Sequence, residues 1–233
     1  MKYSVESILS FIVNIVVVVG WLSNIIKKAI NKNILYTFFG GRKMIVYLPL
    51  RTHQDSNRNV IANEDFHSIM QISKFFTING ISSQFVEIKP NEIINPNEDS
   101  LFVCGPKSNK YVHEKPFSSD PYFQFIEKGD HWSIMDLTSK CELTSPQDKD
   151  PTDKIDYGYL NKFRKNGKTI IVVAGIHSFG TLGVIDYITR VSNLKKIVKE
   201  FPNKNISGVI SSKFNSDKLE IESSQILIQL KEY

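Results

Sequence analysis

Short apolar runs rich in β-branched residues alternate along the chain with amphipathic segments, and this alternation predicts an α/β fold. The predicted strands cover residues 44–48, 83–88, 101–104, 122–126, 131–137, 169–174 and 208–214, with one or two more within 218–229. Helical spacing of apolar residues predicts helices that begin near Asn63, Leu182 and Leu194. We therefore expect a doubly wound, mostly parallel Rossmann-like sheet domain over residues 44–233.

The most informative unit is residues 169–190, where a wholly apolar strand leads through a turn into an amphipathic segment. In open α/β sheets, ligands bind where such turns leave the carboxyl ends of the strands, and the first helical turn suits an anion. The turn has neither the Gly-Lys-Ser/Thr of a P-loop nor the glycine spacing of a dinucleotide fingerprint. The predicted ligand contacts here are Gly175, His177, Ser178, Gly180 and Thr181. The alternative is an ordinary βα turn whose glycines serve packing.

A second strand exit has similar chemistry. The apolar run 101–104 leads into a turn that offers a glycine, a cation and two hydrogen-bonding side chains: Gly105, Lys107, Ser108 and Asn109. If the two strands are neighbours, both turns face one crevice, and we expect at least one of them to contact a ligand.

A third candidate lies after the first strand, in the polar loop 50–59. Arg51 of this loop is a candidate contact for phosphate or carboxylate, together with His53. The alternative is a solvated surface loop.

The N-terminal residues 8–26 carry no charge and match the length of a membrane-crossing helix. Lys27 and Lys28 follow this run, so the positive-inside rule places the C-terminal part in the cytoplasm. We expect a transmembrane signal anchor at 1–28 that contacts the lipid bilayer, and a juxtamembrane connector at 29–43. The predicted location is the inner (plasma) membrane, with a single pass and a cytoplasmic C-terminal domain. A cleaved signal peptide and a buried or interfacial helix are the alternatives.

Composition excludes several classes of function. The net charge of +5 comes partly from lysines beside the apolar N-terminus, and the aromatics do not interleave regularly with basic residues, so we predict no nucleic-acid partner. Two distant cysteines predict neither a zinc site nor a disulfide, and they fit a reducing compartment. The five histidines lack metal-ligand spacing, so we predict no metal, and nothing indicates a cofactor.

An ordered set of segments carries a resemblance over residues 38–190: the apolar N-terminus, then FFGGRKMIVYLP, ANEDFHSI, LFVCGPKSN, DYGYL and VVAGIHSFGTLG. The set resembles a widespread type of bacterial membrane-anchored Rossmann-like sensor domain. It resembles more loosely the TIR, SLOG and nucleoside-deoxyribosyltransferase-like domains of antiphage signalling, which bind or process nucleotide derivatives. The resemblance implies a nucleotide-like ligand. Neither Glu64 nor Glu87 falls in a motif that matches the catalytic glutamate of TIR-type enzymes.

Catalysis has one candidate, His177, in the turn after the core strand. No Gly-x-Ser-x-Gly elbow surrounds Ser178. We therefore favour a non-catalytic sensor or effector that binds a phosphate-bearing nucleotide-like ligand, in signalling or antiviral defence, and that acts through domain association as a homo-oligomer. The alternatives are a nucleotide- or NAD-processing hydrolase that uses His177 with a carboxylate, and a non-catalytic membrane-tethered interaction module.

Overall fold

The structure is a computed structural model that describes residues 5–52, 59–90, 92–114, 119–129 and 131–233. His53 and Asp130 lie outside the described residues. The helices are α1 Val5–Phe39, α2 Asn63–Asn79, α3 Pro146–Lys149, α4 Ser178–Thr189 and α5 Val191–Glu200, with a 3-10 turn at Lys110–His113. The strands are β1 Lys43–Pro49, β2 Arg51–Thr52, β3 Asn59–Val60, β4 Ser82–Ile88, β5 Ser100–Val103, β6 Phe123–Lys128, β7 His131–Asp136, β8 Cys141–Leu143, β9 Ile155–Lys165, β10 Lys168–Gly175, β11 Ile206–Asn215 and β12 Glu220–Glu232.

A seven-stranded sheet in the order β12-β11-β9-β10-β5-β1-β4 forms the centre of the fold. Strands β4, β1, β5 and β10 are parallel, whereas the pairs β10-β9, β9-β11 and β11-β12 are antiparallel. The predicted α/β class is confirmed, but the sheet is mixed. The reason is a two-residue hairpin between β9 and β10. Asn166 and Gly167 both have positive φ, at 51° and 78°, as the tight primed turns of hairpins require.

Each face of the large sheet packs against a different layer. On one face, Val46, Leu101 and Ile171 join a core that also contains residues of α1, α2, α4 and α5. On the other face, Phe102 and Val172 pack with residues of the small sheet β6-β7-β8. Helices therefore cover one face and a three-stranded sheet the other, which differs from the predicted doubly wound arrangement, where helices cover both faces.

Helix α1 ends inside the helical core. Leu35, Phe38 and Phe39 are fully buried there, and the ring of Phe39 lies edge-on to that of Phe76 with centroids 5.0 Å apart. This last turn of α1 therefore packs against the domain. Farther from the core, α1 exposes large apolar side chains, including Val17 and Trp21.

Within the part of the chain that the structure describes, no helix combines the length and the apolar character that a membrane span needs. This finding contradicts the predicted single-pass inner-membrane location, and it does not support the predicted transmembrane helix at residues 8–26.

Candidate functional site

The two predicted strand exits lie side by side. Strands β5 and β10 are parallel neighbours in which Val103 pairs with Val173, and the N–H of Cys104 donates to the carbonyl of Val173 at 3.0 Å. A cleft of about 90 Å³ separates the loops that follow. The side chains around it include Lys107, Ser108, Trp132, His177, Ser178 and Thr181. The two turns therefore face one crevice, as expected for neighbouring strands, and the predicted ligand contacts of their residues stay a prediction.

The loop after β5 is held in one conformation by its own hydrogen bonds. The carbonyl of Gly105 accepts from the N–H groups of Ser108 and Asn109, at 3.0 and 3.2 Å. The side-chain amide of Asn109 donates to the carbonyls of Lys89 and Glu92, at 3.3 and 2.9 Å. Asn109 therefore anchors the loop to the connector after β4, and its side chain is not among those that line the cleft.

Ser108 and Lys107 contribute the anion-binding chemistry of this loop. Ser108 is only 4% exposed, and its Oγ has no hydrogen-bond partner among the described residues. A buried hydroxyl without a partner costs free energy unless something else bonds it. The neighbouring Lys107 is exposed and lines the same cleft. The two side chains together offer a hydroxyl donor and a positive charge.

In the turn after β10, the two glycines allow close packing of protein backbone. A Cβ on Gly175 would lie 1.9 Å from the carbonyl oxygen of His177, and one on Gly180 would lie 2.2 Å from that of Tyr157. The hydroxyl of Thr181 accepts from the N–H of Gly175 at 2.7 Å. The packing alternative thus accounts for Gly175, Gly180 and Thr181.

A buried carboxylate already occupies the first turn of α4. Oδ2 of Asp156 accepts from the N–H groups of His177 and Gly180, at 3.2 and 2.5 Å. Its Oδ1 accepts from the hydroxyl of Ser145 at 2.9 Å and from the N–H of Tyr157 at 2.8 Å. Burial raises the pKa of Asp156, while the charge of His177 and these donors oppose the rise. The predicted free N–H groups of this helix start are therefore partly used within the protein.

His177 lies at the edge of the cleft, bonded to a second carboxylate. Its Nε2 donates to Oδ1 of Asp148 at 2.7 Å, and Nδ1 of His131 lies 3.9 Å from the same oxygen. The side chain of His177 is 36% exposed and that of Asp148 is 18% exposed. A carboxylate that holds one imidazole nitrogen fixes the tautomer and leaves the other nitrogen as a base.

Arg51 lies in β2, directly after β1, and its side chain is outside the described residues, so its predicted ligand contact stays a prediction. Across the described ranges, no group of three His, Cys, Asp or Glu side chains is arranged to hold a metal ion. Cys104 is buried and Cys141 exposed, and neither forms a disulfide.

Four residues of the site do not follow from the sequence patterns. Asp148 and Ser145 fall in the stretch 141–154, which predicts an exposed loop but contains β8 and α3. Trp132 belongs to β7, whose place over the cleft depends on the packing of the small sheet. Asp156 lies just after this polar stretch and begins the run DYGYL. An acidic residue near the start of a buried strand is the sequence signal that could have identified it.

No protein-family model matches the chain, and no curated protein matches it. The resemblance to sensor domains of antiphage signalling, and the nucleotide-like ligand that it implies, therefore stay predictions.

Proposed function

We propose that the chain binds the phosphate group of a nucleotide-like ligand in the cleft between the loops after β5 and β10. The observation that carries this proposal is the Ser108 hydroxyl, which is buried at the cleft and has no hydrogen-bond partner within the described ranges. Lys107 on the same loop supplies a positive charge. The cleft also lies at the carboxyl edge of parallel strands, where open α/β sheets bind their ligands.

A sensing role fits the construction of this cleft. Its walls come from the large sheet and, through Trp132, from the small sheet. A ligand that contacts both layers binds one relative arrangement of the layers more tightly than another. It shifts the population toward the preferred arrangement, to an extent set by the difference between the two affinities. The resemblance to signalling sensor domains supports the same role, and we extend the proposal to antiphage signalling on that basis.

Thermal-shift measurements on the full-length chain test the proposal, because a ligand that binds only the folded state raises the Tm. The full chain is needed since Leu35, Phe38 and Phe39 of α1 belong to the core. The panel contains nucleotides, NAD and cyclic oligonucleotides. We expect a Tm increase that Ser108→Ala or Lys107→Ala removes.

The control variant is Lys195→Ala, which removes an exposed lysine of α5 that does not line the cleft. It should keep the full Tm increase. Ser108→Ala should not lower the Tm without ligand, because it deletes an unpaired hydroxyl. Equal ligand-induced shifts in all four proteins would refute the proposed site.

A hydrolase that acts on nucleotides or NAD is the second candidate, and the His177–Asp148 pair favours it. Asp148 would orient the imidazole, and the other ring nitrogen of His177 would take a proton from water or from a hydroxyl. Product analysis on every binding ligand separates the two functions. If wild type forms product while His177→Ala still binds but forms none, the enzyme is the better description.

A further inference from the structure

We infer that the ligand is a nucleoside phosphate whose base occupies a second, aromatic cleft and carries an exocyclic amino group. The inference rests on the proposed phosphate site. That site has a volume of about 90 Å³, whereas pockets for whole small molecules typically measure about 300–1,000 Å³. The nucleoside part of a bound nucleotide must therefore lie outside it.

A larger cleft of about 870 Å³ adjoins the phosphate site, since Pro106 and Trp132 line both. Its wall includes Phe123, Phe125 and Leu137. This volume accommodates a nucleoside, and the shared residues place the aromatic wall next to the cleft that Ser108 lines. A ligand with an anionic end and an aromatic end therefore fits the two adjacent clefts, with its anionic end at the phosphate site and its aromatic end at the aromatic wall.

The aromatic wall is preorganised. The ring of Phe125 lies edge-on to His113, with centroids 4.9 Å apart, and edge-on to Tyr159 at 5.7 Å. His113 is itself fixed, because its Nε2 donates to the carbonyl of Cys104 at 2.8 Å. Burial lowers the pKa of His113 to about 4, so this neighbour of Phe125 is uncharged at neutral pH. A ring held on two sides loses little entropy when a base stacks on it.

The charges around the two clefts determine which end of the ligand binds in which cleft. Glu114 and Glu127 line the aromatic cleft and are exposed, so they repel a phosphate and leave it to Lys107. Together with Gln124 they place hydrogen-bond acceptors at the rim. Acceptors at the edge of a base select an amino group, which adenine has and hypoxanthine lacks.

A third depression also touches Trp132, but it suits a base less well. Its volume is about 280 Å³, and Lys128 and Lys149 contribute to its lining. It is smaller than a typical small-molecule pocket, and the carboxylates of its lining, Glu142 and Asp148, already accept hydrogen bonds from Lys128 and His177. The aromatic cleft is therefore the better place for the base.

Isothermal titration of the full-length chain with adenosine monophosphate, inosine monophosphate and ribose 5-phosphate tests the inference. Adenosine monophosphate should bind about tenfold more tightly than ribose 5-phosphate, as base stacking predicts. It should also bind more tightly than inosine monophosphate. Phe125→Leu keeps an apolar side chain but removes the ring, so it should abolish the preference over ribose 5-phosphate and leave the affinity for ribose 5-phosphate unchanged.

Lys107→Ala should weaken all three ligands alike, because it acts on their common phosphate. If wild type binds adenosine monophosphate and ribose 5-phosphate equally, the inference is overturned while the phosphate site stands. If adenosine and inosine monophosphates bind equally, amino-group selection is overturned. If no phosphate compound binds, the proposed function itself fails. Since Phe125 packs against Tyr159, Gln124→Ala at an exposed position provides a second variant, expected to reduce the preference for adenosine over inosine monophosphate.

Discussion

The carboxylate of Asp156 lies 2.5 Å from the backbone nitrogen of Gly180 and thereby joins strand β9 to the first turn of helix α4. The same side chain bonds Ser145, just before α3, and the N–H of His177. Asp148 belongs to α3 and His177 precedes α4. Asp156 thus fixes both partners of the histidine–carboxylate pair from a position between them.

Asp156→Asn should lower the free energy of unfolding by about 2–4 kcal/mol, because in either amide orientation its NH₂ group would face at least one backbone N–H, and neither donor would then have an acceptor. Urea denaturation at neutral pH measures the loss. Ser145→Ala removes a single hydroxyl donor from the same carboxylate and should cost about 1 kcal/mol. Wild-type stability in Asp156→Asn would show that the carboxylate does not organise this turn.

Two glycines at the cleft should respond very differently to the same substitution. Gly175→Ala places a Cβ 1.9 Å from a carbonyl oxygen and should cost more than about 3 kcal/mol or prevent folding. In Gly105→Ala the nearest atom is 3.6 Å away, an ordinary contact, so its stability should stay within about 0.5 kcal/mol of wild type. Thermal unfolding of both variants makes the comparison; comparable Tm losses would contradict the packing that we describe at Gly175.

The half-buried imidazole of His113 should make the fold sensitive to mild acid. Its pKa is lowered to about 4 in the folded protein, against 6.5 ordinarily, chiefly by burial. The folded state binds this proton less readily than the unfolded state, so the stabilisation is complete above pH 6.5 and is lost as pH falls toward 4. The linked loss is about 3 kcal/mol.

Urea unfolding of wild type and His113→Gln at several pH values between 7 and 4 isolates this contribution. Glutamine keeps a donor for the carbonyl of Cys104 but does not titrate. The stability of wild type should fall more steeply than that of the variant across this range. Parallel pH profiles would mean that His113 titrates in the folded protein as it does in the unfolded chain.

The ion pair between Lys231 and Asp136 connects the edge strand β12 to the small sheet. Lys231 Nζ lies 3.0 and 3.2 Å from the two carboxylate oxygens, and the Asp136 side chain is only 7% exposed. Lys231→Met should therefore cost about 2 kcal/mol, since it leaves a mostly buried carboxylate without its cation. The matched control is Lys204→Met, which breaks a half-exposed pair with Glu232 and should cost less than about 0.5 kcal/mol.

The pH dependence of this effect has a definite sign. Burial alone would raise the pKa of Asp136, but hydrogen bonds from Lys231 and the N–H of Thr138 outweigh it and lower the pKa below the usual 3.8. The stabilisation is present above pH 3.8 and is lost as pH falls through the lowered value. The stability difference between wild type and Lys231→Met should therefore shrink in strong acid; a difference that grows there would exclude the assigned ion pair.

The parallel half of the fold could be predicted from sequence because each strand is a compact apolar run that ends at Pro, Gly or a polar turn. The predictions for β1, β4, β5 and β10 match the observed strands to within one or two residues. In the antiparallel half, β11 and β12 overlap the predicted strands, but β9 could not be predicted, because it mixes buried polar residues such as Asn161 and Lys162 with apolar ones. The clearest local signal there is Asn166-Gly167, which specifies the hairpin.

The position of the cleft could be predicted, but the interactions of its residues could not. Adjacent parallel strands bring the loops at their carboxyl ends together whatever side chains those loops carry. The placement of Lys107 and His177 at one cleft therefore follows from the topology. Asp148 and Trp132 come from distant elements that tertiary packing places there. The helical length of residues 8–26 suggested a membrane span, whereas the end of the same helix contributes Phe38 and Phe39 to the core.

The carboxylate of Asp156 accepts a hydrogen bond in the first turn of α4 and thereby offsets the positive end of that helix dipole. Discrimination between anions and neutral ligands then depends on Lys107 almost alone among the described groups that line the cleft. If one cation binds the ligand, the affinity should depend only weakly on ionic strength, because a single charge is neutralised. The protein would thus retain its ligand in concentrated electrolyte, where sites built on several cations release theirs.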